Sequence, residues 1–185
     1  MKQRSLNLLA LLFFCTTFFS SINAQTLFYH PLQNSAVPQL LAPGQAANID
    51  VTYHKIYWRI NPDSTKYIKG FVQTNFVTIT NNVSSLSFDL NDVLVIDSVR
   101  FHNALLPSGN ISRAGNIATI TLGTTLANAV TDSIRIYYQG VPPAASGARQ
   151  GYQMGNDAGA GSYISTLSES YEDRDWWPCK ADMQD

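Results

Sequence analysis

The chain of 185 residues has a length typical of one domain, and its 45% hydrophobic and 14% charged residues exclude the composition of a disordered protein. The formal net charge is −1 and there is no block of like charges. The sequence therefore predicts neither nucleic-acid binding nor adsorption to an anionic membrane surface.

The first 24 residues have the pattern of a secretory signal peptide. Lys2 and Arg4 give a positive start, a largely apolar run follows over 6–19, and small residues precede a predicted cleavage after Ala24. The run is shorter than the roughly 20 residues that span a bilayer, which argues against the alternative of an uncleaved anchor. We expect an exported protein, periplasmic or extracellular, with no membrane span after cleavage.

Cleavage would leave a single cysteine, Cys179, because Cys15 lies in the apolar run. One cysteine cannot form an internal disulfide, so the stability of the exported part must come from its core. Loss of Lys2 and Arg4 from the 12 basic side chains leaves 10 against 13 acidic ones, which keeps the charge balance mildly acidic.

Residues 25–48 are poor in charge and contain Pro31, Pro38 and Pro43, which predicts an irregular lead-in. From Ile49 onward, apolar and aromatic residues alternate with polar ones, a period of two that indicates β-strands. Polar turns separate strands predicted over 49–60, 67–80, 85–90, 93–101, 117–122, 134–138 and 162–167.

This strand spacing, with no convincing helical period, predicts an all-β domain over 49–180, either an antiparallel sandwich or a saddle-shaped sheet. Strict alternation over 93–101 places Val93, Val95, Val99 and Phe101 on one face. The proline- and glycine-rich segment 141–161 is predicted to be a loop with a functional or interdomain role.

The sequence contains no self-contained active site. His30, His54 and His102 are far apart and none has a histidine at i+4, so no metal site is predicted in this chain. Neither a G-x-S-x-G nucleophile motif nor a phosphate-binding G-x-x-x-x-G-K-[ST] loop occurs.

The segment 165–180 is the densest in chemically active side chains, with four acids, one arginine, one tyrosine and two tryptophans. Aromatic residues beside carboxylates indicate a recognition surface or an interdomain seam when they are exposed. Alternatively, Trp176 and Trp177 cap the sandwich core. Composition alone favours neither interpretation.

The same segment carries a family resemblance. A short strand is followed by Thr-x-x-Glu, an arginine, two bulky residues, a proline and a cysteine, and this order resembles the aminopeptidase N family of gluzincin zinc metallopeptidases. The matching residues are Thr166, Glu169, Arg174, Trp177, Pro178 and Cys179. With the upstream strand layout, including the Leu-x-Phe-x-Leu strand before Asn91, the resemblance covers roughly residues 49–183.

The resemblance implies the N-terminal β-domain of an enzyme that removes single residues from peptide N-termini. In that family the segment leads into a catalytic domain, where an H-E-x-x-H helix and a downstream glutamate hold one zinc ion. By the match, Glu169 binds the free α-ammonium of the peptide substrate together with a glutamate of that domain's G-x-M-E-N strand. Thr166, Arg174 and Trp177 would support the loop. Charge-assisted hydrogen bonds from an ammonium to carboxylates suit this role.

Three residues depart from the family pattern. Leu167 stands where glutamine is frequent, Ser170 where proline or alanine is frequent, and Ala181 where an aspartate is common. These differences concern substrate contacts more than the type of domain.

Three hypotheses follow for the whole protein. In the first, the chain is a piece of a secreted zinc aminopeptidase: residues 181–185 begin the link to a catalytic domain that holds the zinc, and the 185-residue chain alone is inactive. In the second, it is a stand-alone secreted β-sandwich that holds a peptide or glycan with Tyr171, Trp176 and Trp177. In the third, it is a degenerate homologue whose β-domain serves adhesion or assembly. We favour the first.

Overall fold

The computed structural model describes residues 47–63, 66–143 and 151–180, and for 169–171 it describes the backbone alone. The predicted signal peptide 1–24, nearly all of the lead-in 25–48, and residues 181–185 lie outside the described residues. Within the described ranges every regular element is a β-strand or a 3-10 helix, and all strand pairs are antiparallel. The predicted all-β antiparallel class is therefore confirmed. No helix among these residues is long and apolar enough to cross a membrane.

Ten strands occur in the described residues. They are β1 Ile49–Arg59, β2 Ile68–Thr78, β3 Val83–Asp89, β4 Val95–Phe101, β5 Ala104–Leu105, β6 Ile111–Ala114, β7 Ile117–Leu126, β8 Thr131–Gly140, β9 Tyr152–Asp157 and β10 Gly161–Thr166. Short 3-10 helices span Ser108–Asn110 and Glu169–Asp175. β5, β6 and the turn at His102 and Asn103 were not predicted, since two to four residues are too few to show a period.

The strands form a five-stranded sheet in the order β1-β2-β8-β4-β5, a three-stranded sheet in the order β3-β7-β6, and the β9-β10 hairpin. The two larger sheets share one hydrophobic core. Its buried members are Ile49, Phe76, Val83, Leu86, Phe88, Val99, Phe101, Ile120, Leu122, Leu126, Ile134 and Ile136. Alternate residues of each strand supply this core, as the period of two predicts.

β2 shows why alternation was a good guide. Val72, Thr74 and Phe76 are fully buried on its inner face, and their neighbours in sequence face outward. Gly70 is required where β2 meets β1, because a Cβ there would lie 1.9 Å from the backbone oxygen of Tyr57.

The predicted face of 93–101 is wrong for its first half. Val93 and Val95 are about half exposed, whereas Leu94 is buried and Ile96 packs against the core. The cause is a β-bulge: the register of β4 against β8 shifts between Ile96 and Ser98, so the extra residue exchanges the inward and outward positions.

The predicted loop 141–161 is partly wrong, because Tyr152–Asp157 forms β9 and pairs with β10. Gly155, Asn156 and Asp157 have low strand propensity, which hides this strand in the sequence. Pairing with β10 compensates for this low propensity. The ring of Tyr163 on β10 packs directly over Gly155, within 2.4 Å of where a Cβ would be. The strand predicted over 162–167 is confirmed as β10, with bounds shifted by one residue.

Candidate functional site

The segment with the family motif is one continuous structural unit. β10 ends at Thr166, and the 3-10 helix Glu169–Asp175 begins two residues later. After that helix the chain continues through Trp176 and Trp177 to Cys179, which forms an antiparallel bridge with Asp89. Thr166, Glu169, Arg174 and Trp177 therefore lie in order along the fourteen-residue segment 166–179, which begins on the hairpin and ends at the edge of β3.

Backbone hydrogen bonds fix both ends of the 3-10 helix. The amide of Leu167 donates to the carbonyl oxygen of Gly151 at 3.0 Å, and the amide of Asn91 donates to the carbonyl oxygen of Arg174 at 2.7 Å. The side-chain amide of Asn91 also donates to Asp175 Oδ1 at 2.9 Å. Gly151 lies so close that a Cβ would come within 2.4 Å of the Glu172 carbonyl oxygen. The backbone at Glu169 is thus held between two anchored ends.

The two tryptophans belong to a second hydrophobic core. Trp176 and Trp177 are only 8% and 9% exposed, and they pack with the inner residues at one end of the five-stranded sheet. The other buried members of this cluster are Ile68, Val72, Leu90, Leu94, Tyr138, Tyr152 and Cys179. Capping of the core is therefore the correct interpretation for Trp176 and Trp177.

A hydrogen-bonded chain runs through this second core. Trp58 Nε1 donates to the hydroxyl of Tyr138 at 2.6 Å, and that hydroxyl donates to the carbonyl oxygen of Trp176 at 2.9 Å. The rings of Trp58 and Trp176 meet edge to face with centroids 4.7 Å apart. Polar groups of three distant parts of the chain are thereby paired inside the core, which fixes where the motif segment lies on the sheet.

Trp177 and Cys179 also hold the motif segment against the sheets. The Trp177 ring contacts that of His54 at a centroid distance of 4.6 Å, and its Nε1 donates to Asp173 Oδ1 at 3.4 Å. Cys179 exchanges two backbone hydrogen bonds with Asp89, at 2.7 and 3.0 Å. Burial raises the pKa of the Cys179 thiol well above its usual range, and the carboxylates of Asp173 and Asp89 add to this. This cysteine is a buried packing residue.

The predicted site residues have different outcomes. Trp177 is buried in the second core, and the carbonyl oxygen of Arg174 accepts a hydrogen bond from the Asn91 amide. That these residues support a substrate site stays a prediction. Thr166 pairs with Tyr152 at the end of the hairpin. The backbone of Glu169 opens the 3-10 helix, while its side chain lies outside the description, so its substrate role stays a prediction.

Sequence reasoning missed Trp58, Tyr138 and Gly151 as partners of the motif segment. Trp58 and Tyr138 looked like ordinary strand residues, because their pairing with residue 176 depends on contacts between distant parts of the chain. Asn91 had a weak signal, since the strand ending at Asn91-Asp92 was part of the resemblance.

The ranges 47–63, 66–143 and 151–180 contain no group of three or more histidine, cysteine, aspartate or glutamate side chains placed to hold a metal ion. Asp89 of β3 and Cys179 are buried at the isolated bridge that they form, and His54 lies against Trp177. These residues do not fit a zinc site of three or four convergent ligands.

Comparison with solved structures identifies the fold. A mutant of the M1 zinc metallopeptidase from Deinococcus radiodurans, bound to a Tyr-Ser-Ala substrate, matches 73% of this chain with a TM-score of 0.59 and 21% sequence identity. A two-domain M1 zinc metallopeptidase mutant bound to L-arginine gives the same values. Yeast LTA4 hydrolase in complex with bestatin matches 72% with a TM-score of 0.55 and 16% identity.

The chain has the fold of one part of M1 zinc metallopeptidases. The predicted resemblance to this group of enzymes is thus confirmed at the level of the fold. The match covers 30% of the Deinococcus enzyme and 21% of the yeast enzyme, so the chain spans less than a third of the length of either. No protein-family model matches the sequence, and no curated protein matches it.

Replacement of Tyr138 by phenylalanine should destabilise this M1-like fold by about 1–3 kcal/mol, because Trp58 Nε1 and the Trp176 carbonyl oxygen both lose their buried partner. Urea denaturation measures the change. Tyr137→Phe is the matched control on the same strand, since its hydroxyl lies on the outer face at 3.5 Å from Arg135 Nη1. Equal stability of the two variants would contradict a structural role for the hydrogen-bonded chain.

The M1-like fold should lose stability in alkaline solution. Burial raises the pKa values of Tyr138 and Cys179, so both stay protonated in the folded state after the unfolded chain has ionised. Their contribution is complete below the unfolded pKa values, about 8.5 for cysteine and about 10 for tyrosine, and falls as the pH rises above them. The lowered pKa of Lys66 opposes this trend in part.

Urea denaturation from pH 7 to pH 11 tests this dependence. The free energy of unfolding should be nearly flat to about pH 8 and then fall, by at most about 1.4 kcal/mol per pH unit for each group. Cys179→Ala should remove the first part of the fall, and Tyr138→Phe should reduce the part above about pH 10, to which Tyr152 also contributes because burial raises its pKa. An unchanged slope in both variants would show that other groups cause it.

Proposed function

We propose that this chain is the N-terminal β-domain of an exported zinc aminopeptidase, and that it contributes Glu169 to the site that binds the α-ammonium group of a peptide substrate. The observation that carries the proposal is the coincidence of two independent features. The fold matches M1 zinc metallopeptidases over 73% of the chain. The residues of the amine-binding motif stand in order on the segment that closes this fold.

The position of Glu169 supports this role. It opens a 3-10 helix whose two ends are hydrogen-bonded to the hairpin and to the turn after β3. A carboxylate on an anchored turn loses little conformational freedom on binding, so more of its interaction with an ammonium group appears as affinity. Such a contact at the substrate's first residue sets the exopeptidase register.

The surrounding charge also suits a cationic ligand. Three further acids lie on the same helix, namely Glu172, Asp173 and Asp175, against one arginine. Asp173 and Asp175 are oriented by Trp177 and Asn91. This local excess of negative charge attracts a free N-terminus and is neutral toward a blocked one.

Peptide hydrolysis needs chemistry that the described residues do not supply. In the proposed protein a further domain would hold a zinc ion, which would supply the Lewis-acid chemistry that hydrolysis needs. The present chain would bind and orient the amine end of the substrate and would form one wall of the cleft. Its partners are then the peptide substrate and its own catalytic domain.

The experiment is to extend the gene past codon 185, express the complete protein, and assay release of single N-terminal residues. We expect a downstream H-E-x-x-H sequence, chelator-sensitive release by the complete protein, and none by residues 25–185 alone. A stop codon after Asp185, or chelator-sensitive release by the short chain, would overturn the proposal.

We propose export on the basis of the signal-peptide pattern of residues 1–24 alone. Sequencing the N-terminus of protein recovered outside the cytoplasm should give Gln25 as the first residue. Recovery of a chain that begins at Met1 in the cytoplasm would contradict it.

The stand-alone binding module receives no support from the tryptophans. A ring that stacks on a sugar must present a face to solvent, and Trp176 and Trp177 are more than nine-tenths buried. We therefore propose no glycan-binding role for these two residues.

A further inference from the structure

The outer face of the five-stranded sheet concentrates positive charge. Five outward-pointing cations lie on β1, β2, β4 and β8, which is half of the basic side chains outside the predicted leader. They are Lys55, Arg59, Lys69, Arg100 and Arg135. The acids of the motif segment lie elsewhere, on the 3-10 helix Glu169–Asp175. Two exposed acids, Asp50 and Asp97, lie on β1 and β4, so five cations outnumber them and the face is cationic in balance.

Two of these cations are placed directly opposite each other. Arg100 on β4 and Arg135 on β8 are register partners in the antiparallel pair. Like charges at directly opposed positions destabilise a sheet unless something compensates them. Within the part of the chain that the structure describes, the salt bridge is His102–Asp132, and neither arginine contacts a carboxylate. The pair lacks a counter-charge from those residues.

Arg135 is held in a fixed position. Its guanidinium lies over the ring of Phe71 at 4.9 Å, and its Nη2 donates to Gln73 Oε1 at 2.8 Å. Its Nε is buried and has no hydrogen-bond partner. Arg100 is oriented by a 2.8 Å hydrogen bond from Nη1 to the carbonyl oxygen of Asn103. Both guanidinium groups are therefore oriented by neutral acceptors, with donor capacity left over.

A cavity lies between the two arginines. Its volume is about 230 Å³, and its lining residues are Gln73, Arg100, His102, Asn103, Ser133, Ile134 and Arg135. This is smaller than the roughly 300–1,000 Å³ of pockets that enclose whole drug-sized ligands, and it suits a single small polar group. The carboxylate of Asp132, which precedes the lining residue Ser133 in the chain, is engaged by His102 Nε2 at 2.6 Å.

We propose that this cavity binds an oxyanion, the carboxylate or phosphate group of a ligand, between Arg100 and Arg135. An oxyanion there would neutralise the opposed charges and accept the unused guanidinium hydrogens, for which planar forked donors are well suited. The Ser133 hydroxyl is a further donor in the lining. None of the lining residues belongs to the motif segment, so the proposal does not rest on Glu169.

Amide NMR of the purified chain tests the proposal with two probes, inorganic phosphate and malonate, at constant ionic strength. We expect saturable shifts at Arg100, Ser133 and Arg135, with an affinity at least about tenfold lower in Arg135→Gln. Arg59→Gln, which removes a cation from the same face outside the cavity, should bind like the unmodified chain. Saturation by one probe alone would identify the ligand group as phosphate or carboxylate.

The proposal is overturned if neither probe saturates, or if Arg59→Gln and Arg135→Gln lose affinity equally. Either result would mean that the face attracts anions only through diffuse charge. If Arg135→Gln does not fold, Arg100→Gln takes its place, because Arg100 is exposed and its loss leaves the core intact. Retained affinity in a folded Arg100→Gln chain would equally overturn the site.

Discussion

Replacement of Trp176 by alanine is expected to destabilise the chain by about 3–5 kcal/mol. The indole is 8% exposed and packs edge to face on Trp58 in the second core. Its removal leaves a cavity that the neighbouring strands cannot close, because they are fixed by the two larger sheets. This is a large fraction of the roughly 5–15 kcal/mol that stabilises a typical domain.

Urea denaturation of the chain measures this effect without any ligand or activity. Tyr163→Ala is the control, since Tyr163 is an aromatic residue of the β9-β10 hairpin, which precedes the 3-10 helix, but is 48% exposed. It should cost less than Trp176→Ala, although part of its ring covers Gly155. Equal losses would mean that the motif segment is a surface feature, as the binding-module hypothesis requires.

Replacement of Glu169 by glutamine in the complete protein is expected to lower kcat/KM for peptides with a free N-terminus by roughly tenfold to 150-fold. This range corresponds to the loss of about 1.5–3 kcal/mol, the value of a hydrogen bond to a charged group. Zinc content should be unchanged, because Glu169 is proposed to contact the substrate amine and no metal.

The matched control is Asp157→Asn, which also removes one negative charge. Asp157 lies at the exposed tip of the β9-β10 hairpin, where its carboxylate accepts a hydrogen bond from the Gly159 amide. Kinetics close to those of the unmodified protein are expected. If the two variants have the same kcat/KM, Glu169 is a surface carboxylate and is not part of the proposed site.

The sequence predicted the strands well where they are long and continuous. β2 keeps one buried parity throughout, with Val72, Thr74 and Phe76 inside, and β3 keeps the predicted alternation from Leu86 to Phe88. Periodicity failed where geometry breaks the period. The bulge between Ile96 and Ser98 exchanges the faces of β4, and a bulge carries no mark in a run of β-branched residues. The sequence did not predict β9 for another reason, because the stability of this strand comes from its partner strand.

The candidate residues of the motif segment could be named from the sequence, but the contacts around them could not. The spacing of Thr166, Glu169 and Arg174 was visible in the sequence and carried the resemblance. That the following tryptophans are buried was not visible, since it depends on Trp58 and Tyr138, which are 118 and 38 residues away from Trp176. The cationic cavity was equally hidden, because Arg100 and Arg135 become neighbours only through the register of β4 against β8.

One ratio tests the proposed function most directly: kcat/KM for a peptide with a free N-terminus divided by kcat/KM for its N-acetylated form. It is measured with the complete protein and with its Glu169→Gln variant. We predict a large ratio for the unmodified protein, since acetylation removes the ammonium charge that Glu169 binds, and a ratio closer to one for the variant. Equal hydrolysis of the free and acetylated peptides by the unmodified protein would contradict an aminopeptidase with an amine anchor on this domain.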